Sequence, residues 1–184
     1  MQKKRFVQLA AALSLAAIAQ GAHAQANASS GNIRFEGEVK AVPCTLPGTS
    51  QNMTVTMGTY KTSDLNGAKG KLTTPTPFKI KLHCDPSVVA GKGATATFKG
   101  HVDAIENTAL QVGAGQVSGS FADGVAVVVA DSGGTTIPMN TESALYRLNG
   151  GDNELMFQAS YISTKDAVTT GPANASAQFT ITYK

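Results

Sequence analysis

The chain has 184 residues, with 15 basic and 12 acidic side chains, 19 glycines, two cysteines and no tryptophan. The excess of basic residues is Lys3, Lys4 and Arg5, all within the first 24 positions, and the remainder carries 12 charges of each sign. A neutral remainder gives no electrostatic footprint for a nucleic-acid partner or an anionic membrane surface, and its length suits one domain with a real core.

Residues 1–24 have the form of a secretory signal. A basic start is followed by an apolar run from Phe6 to Ala19 and by Ala22-His23-Ala24, an Ala-x-Ala cleavage site. A cut after Ala24 divides the chain into a discarded leader (1–24), an N-terminal extension (25–41) and a folded domain (42–184). In the extension Ile33, Phe35, Gly37 and Val39 alternate with Arg34, Glu36, Glu38 and Lys40. Period-two alternation is the pattern of a strand with one face buried. An ordinary first strand paired within its own domain and a strand given to a neighbouring molecule both fit it.

Val42-Pro43 breaks the alternation, and Cys44 follows. Export, an even cysteine count and the lack of Cys-x-x-Cys spacing favour a structural disulfide between Cys44 and Cys84 over two free thiols. Met53, Val55 and Met57 alternate with threonines, which predicts a strand ending at Gly58. Residues 59–76, broken by Gly67, Gly70 and Pro75, read as a long loop. Phe78, Ile80, Leu82 and Cys84 then share one face of a strand, with Lys79, Lys81 and His83 on the other. That points Cys84 into the core and His83 outward. Residues 94–98 and 108–112 predict further strands. Residues 124–130 are apolar on both faces, as in a strand covered on both sides. Asp131-Ser132-Gly133-Gly134 is a turn from which residues 135–138 return. Tyr146 and Leu148 lead to the Asn149-Gly150-Gly151 turn, and Leu155, Phe157, Ala159 and Tyr161 alternate after it. In the last strand Ala173, Ala175, Ala177, Phe179, Ile181 and Tyr183 share a face. Seven to nine strands with regular turn signals and no convincing helix predict an all-β, immunoglobulin-like β-sandwich.

Few residues suit catalysis. Only His83 and His101 follow the leader. Neither has a partner evident in sequence, and there is no Gly-x-Ser-x-Gly elbow or nucleotide-binding glycine signature. No enzymatic activity, cofactor or metal site is expected.

Gly37 stands seven residues before Cys44. The run Pro-Phe-x-Ile-x-Leu-x-Cys spans 77–84, Gly171 is fourteenth from the end, and Tyr183 is penultimate in a Phe-Thr-Ile-Thr-Tyr-Lys tail. In this order and spacing the sequence resembles the type 1-like fimbrial subunits (pilins) of the chaperone–usher pathway, over essentially all of residues 25–184. The resemblance implies an incomplete sandwich that lacks one strand. A periplasmic chaperone lends the strand first. At the outer-membrane usher the extension of the next subunit replaces it, giving a head-to-tail fimbria on the cell surface that supports adhesion. Carried over, Ile33, Phe35 and Val39 would fill pockets in the neighbour's groove, and Gly37 would sit where the groove is too tight for a side chain. Gly171, Phe179, Ile181 and Tyr183 would lie in the C-terminal strand that borders the groove and meets the chaperone. Cys44 and Cys84 would form the family's disulfide. The competing reading, a fimbrial adhesin or lectin-type subunit, would look for its receptor site on the 59–76 loop or residues 113–119. The lack of tryptophan argues against sugar stacking there.

Overall fold

The computed structural model describes residues 33–38, 42–115 and 120–184. The expected leader and Val39 lie outside the described residues. Residues 33–38 belong to a unit of their own. They form neither helix nor strand, Arg34 pairs with Glu36 at 2.6 Å, and Ile33 and Phe35 are 79% and 90% exposed.

The larger unit is a two-sheet sandwich. Its elements are β1 (Cys44–Thr45), α1 (Gly48–Gln51), α2 (Thr62–Leu65), β2 (Thr76–Cys84), α3 (Pro86–Val89), β3 (Gly93–Gly100), β4 (Leu110–Gln111), β5 (Val125–Asp131), β6 (Tyr146–Arg147), β7 (Gly151–Ser163) and β8 (Ala177–Tyr183). One sheet runs β1-β2-β7-β5-β4 and the other β6-β3-β8, with every pairing antiparallel. The three helices are single turns. Asp85, which stops β2, caps α3 by accepting the Ser87 N–H at 2.8 Å, with Pro86 at the first helical position where no N–H is needed.

Alternation in the sequence becomes alternation in burial. Ile80, Leu82 and Cys84 are buried and Lys79, Lys81 and His83 exposed, as the strand pattern predicts. Leu155 and Phe157 come in from β7 opposite Ile80 and Phe78. Phe98 reaches them from the other sheet, with its ring 5.1 Å from Phe157 at 86° and 6.2 Å from Phe78. Such edge-to-face contacts add about 0.5–1.5 kcal/mol each beyond the area they bury. The apolar run in β5 is covered on both sides. Val125, Val127 and Val129 join the main core, while Ala126 and Val128 pack with Ala109 and Ile162 on the sheet's other face. Cys44 and Cys84 sit opposite each other in the β1–β2 register and are disulfide-bonded. Closing 40 residues of chain is worth about 4 kcal/mol on the chain-entropy account.

Three expectations need correcting. Residues 53–58 are extended but pair with no strand, although Met53, Val55 and Met57 are half-buried and Thr54 and Thr56 exposed. The loop 59–76 contains α2 and a single bridge, Leu72 to Ile162. The last strand starts at Ala177, not Ala173. Residues 173–176 precede it without a ladder. Alternation reports which face of a chain is buried, and an extended segment can bury a face without a neighbour on its edge. The result is an all-β immunoglobulin-like sandwich with two extended, unladdered runs.

Candidate functional site: an open sheet edge

β8 lies at the edge of its sheet, and β3 is its only neighbour among the described strands. Gly93 and Lys184 exchange both backbone hydrogen bonds, at 3.2 and 2.9 Å. Hydrogen-bonded and non-hydrogen-bonded positions alternate along an antiparallel pair. In the observed register Thr182 and Thr180 therefore bond to Thr95 and Thr97, and Phe179, Ile181 and Tyr183 turn their N–H and C=O groups away from β3. The other edge of β3 agrees with this phase, since the carbonyls of Ala96 and Phe98 accept from Ser143 and Asn140 there, both at 2.8 Å. β8 thus presents a row of backbone donors and acceptors with no strand beside it.

Beside that row the core is open. A groove of about 1110 Å³ has residues 53–58 on one bank and residues 173–180 on the other. Its floor is apolar and includes Phe78, Phe98, Val127, Val129 and Tyr161. The predicted inward face of β8 is accordingly only half covered: Phe179, Ile181 and Tyr183 are partly buried, packed on the core from one side. A place bounded by two unladdered, extended runs and floored by apolar side chains has the chemistry of an absent strand. It offers main-chain partners along its edge and contact for every second side chain of whatever enters.

Two phenols cross between the sheets at this edge. Tyr183 donates to the Cys44 carbonyl at 3.3 Å, and Tyr161, on β7, donates to the Ala173 carbonyl at 3.0 Å. Burial pushes the pKa of both above the ordinary tyrosine value, and for Tyr161 the neighbouring Tyr60 adds to the effect.

Of the residues singled out in the sequence, Phe179 lines the groove, and Ile181 and Tyr183 continue the same face of β8. Gly171 is not in that strand. It sits in a bend six residues earlier, where a Cβ would meet the Ala122 nitrogen at 2.6 Å and the Phe121 carbonyl carbon at 2.7 Å. Pro172 then accepts the Ala122 N–H at 3.0 Å. Close backbone approach, rather than the groove, requires this glycine. Gly37 has open space where a Cβ would be. His83 faces solvent and pairs with Asp152 at 2.7 Å. The second bank, residues 53–58, and the floor residue Tyr161 were not singled out as site residues from sequence. Their signal was half-hidden: apolar alternation was plain at both, but the edge that lacks a partner is invisible in side-chain pattern.

The fimbrial protein family model matches residues 33–184. Long polar fimbria protein A of Salmonella typhimurium is 31% identical over 173 residues, 94% of each chain. The fimbrial-like protein SfmA of Escherichia coli K12 is 35% identical over 185 residues, 99% of each chain. Among solved structures, an antigen and type I fimbria protein of Burkholderia pseudomallei is similar with 37% identity and a TM-score of 0.58, covering 78% of this chain and 90% of that one. The P pilus rod subunit PapA is similar with 25% identity and a TM-score of 0.64, covering 78% of this chain and all of that one. With a sandwich of this topology, relatives matched nearly end to end and a family model spanning the whole folded domain, the chain belongs to the fimbrial protein family and is a fimbrial subunit.

Proposed function

We propose that the chain is a structural subunit of a chaperone–usher fimbria and polymerises head to tail by giving its N-terminal extension to the groove of a neighbouring copy. The observation that carries this reading is the open β8 edge above an apolar groove, in a chain that also has an alternating apolar extension. Ile33, Phe35 and Val39 are the side chains that would enter the neighbour's groove, with Gly37 at its narrowest point. Burying each of the three contributes about 1.5–3 kcal/mol before ordering costs, and each ladder hydrogen bond adds about 1 kcal/mol. Donor and acceptor are different surfaces of one chain. The contact is therefore heterologous and does not close, and repetition builds a filament. Strand addition of this kind is how an exposed edge is satisfied by another chain, with main-chain bonds giving affinity and alternate side chains specificity. Until assembly, a periplasmic chaperone would cover the same edge, the leader would direct export, and the outer-membrane usher would be the place of exchange. No catalytic step is required of any residue.

The experiment is deletion of residues 25–39. The shortened chain keeps its groove and is expected to be held by the chaperone and to accept one donor. It cannot donate, so it enters a fibre only at one end and shortens fibres when mixed with the full-length chain. Electron microscopy of the assembled material measures this. Fibres of normal length from the shortened chain alone would refute strand donation.

A further inference from the structure

An alternating donor segment has a register problem. A slip of one residue turns every apolar side chain to the wrong face, but a slip of two leaves the alternation intact. Ile33, Phe35, Gly37 and Val39 repeat with period two, so apolar pattern alone does not choose between positions two residues apart along the groove. Something at the end of the groove has to.

Residues Ala173 and Ala175 have the same odd parity as Phe179, Ile181 and Tyr183, whose backbone groups face the open edge. The even residue Asn174 has its carbonyl turned the other way, accepting the Gly113 N–H at 2.8 Å. Ala173 is the first of the half-buried alanines on this bank, and its carbonyl already has a donor, the Tyr161 hydroxyl at 3.0 Å. Tyr161 is 9% exposed and lines the groove floor. Its ring is held edge-on by Tyr60 at a centroid distance of 5.9 Å and 79°, and Tyr60 is itself tied to the Thr74 carbonyl at 3.0 Å. The phenol is thus a fixed donor at the point where the free edge would otherwise run on.

We infer that Tyr161 is the register stop of the groove: by taking the Ala173 carbonyl it ends the ladder that an inserted strand can form, and so selects one of the two-residue slips. This rests on strand insertion at the groove, as proposed above. Tyr161 is a positioning residue, acting through Ala173 rather than on the strand's side chains.

The test uses the full-length chain and a synthetic peptide of residues 29–41, with amide hydrogen exchange read residue by residue and peptide release measured as a rate. In the parent chain the peptide is expected to protect the amides of Ala177, Phe179, Ile181 and Tyr183 and to leave Ala173 unprotected. Tyr161→Phe keeps the ring and removes the donor. It is expected to bind the peptide in more than one register, with protection spreading to Ala173, and to release it about fivefold faster, the loss of one net hydrogen bond. Tyr60→Phe, which loses only the bond to Thr74, is expected to keep the parent's protection pattern. Should Tyr161→Phe fold poorly, Tyr161→Leu carries the same expectation. The same protected amides and release rate in parent and Tyr161→Phe would overturn the register role alone. A peptide that protects no β8 amide in the parent chain would overturn the insertion reading, and this role with it.

Discussion

Tyr146, Tyr161 and Tyr183 each place a phenol oxygen on a backbone carbonyl, those of Met156, Ala173 and Cys44. Burial raises the pKa of all three. A phenol whose folded pKa lies above its unfolded value contributes stability that is complete below the unfolded pKa, about 10, and is lost as pH rises through the folded value. Three carboxylates set the opposite arm. The Lys165 ammonium bonded to Asp123, the Ser87 hydroxyl on Asp85 and the Lys184 ammonium on Glu142 each lower the partner's pKa. Their contribution is present above the ordinary carboxylate range and is lost as pH falls through the lowered values. All three are at the surface, where solvent and salt screen the effect, so the alkaline arm should dominate. Spectrophotometric titration of the tyrosines checks this: the folded chain should ionise at higher pH than the same chain in urea. Coincident curves would contradict the buried, carbonyl-bound phenols. Single residues were unevenly legible. The position of Cys84 in an alternating strand announced an inward thiol. Gly171 was noticed for its place in a motif, and its physical cause, the backbone of residues 120–122 pressed against it, comes from a distant part of the chain.

At the level of elements, the long strands were readable because a single face alternates without interruption. β2 does so from Phe78 to Cys84, and β5 announced its two-sided burial by being apolar at every position. The two-residue strands β1, β4 and β6 were not readable as such, since two positions carry no period. Residues 53–58 and 173–176 are the instructive case. Each alternates like a strand and each buries a face, yet neither has a ladder partner, because side-chain pattern encodes faces and says nothing of edges. The extension of residues 33–38 is the complementary element, with Phe35 exposed at 90% and free to give its ring to another surface. Phe35→Ala should therefore leave the folding of its own subunit unchanged within about 0.5 kcal/mol. It should weaken the contact with the next subunit by about 2–3 kcal/mol, a thirtyfold to hundredfold loss in the donor's affinity for the groove. Urea unfolding and calorimetric binding of parent and substituted 29–41 peptides separate the two effects. An equal loss in both would mean that Phe35 packs within its own domain.

For the whole molecule, the sandwich is held by a core shared between both sheets, a disulfide tying β1 to β2, and rings from β2, β3 and β7 meeting at its centre. The groove interrupts that core on one side. A domain that leaves such a floor uncovered keeps an unfilled hydrophobic surface and an unsatisfied edge, and both are removed by the same event, insertion of one strand. The most direct measurement is a reconstruction of assembled fibres by electron cryomicroscopy at a resolution that traces the backbone. The account predicts residues 33–39 of one subunit lying along β8 of the next, hydrogen-bonded to Phe179, Ile181 and Tyr183, with Phe35 on the groove floor. A fibre in which each subunit's extension lies in its own groove, or in which the β8 edge stays bare, would contradict it.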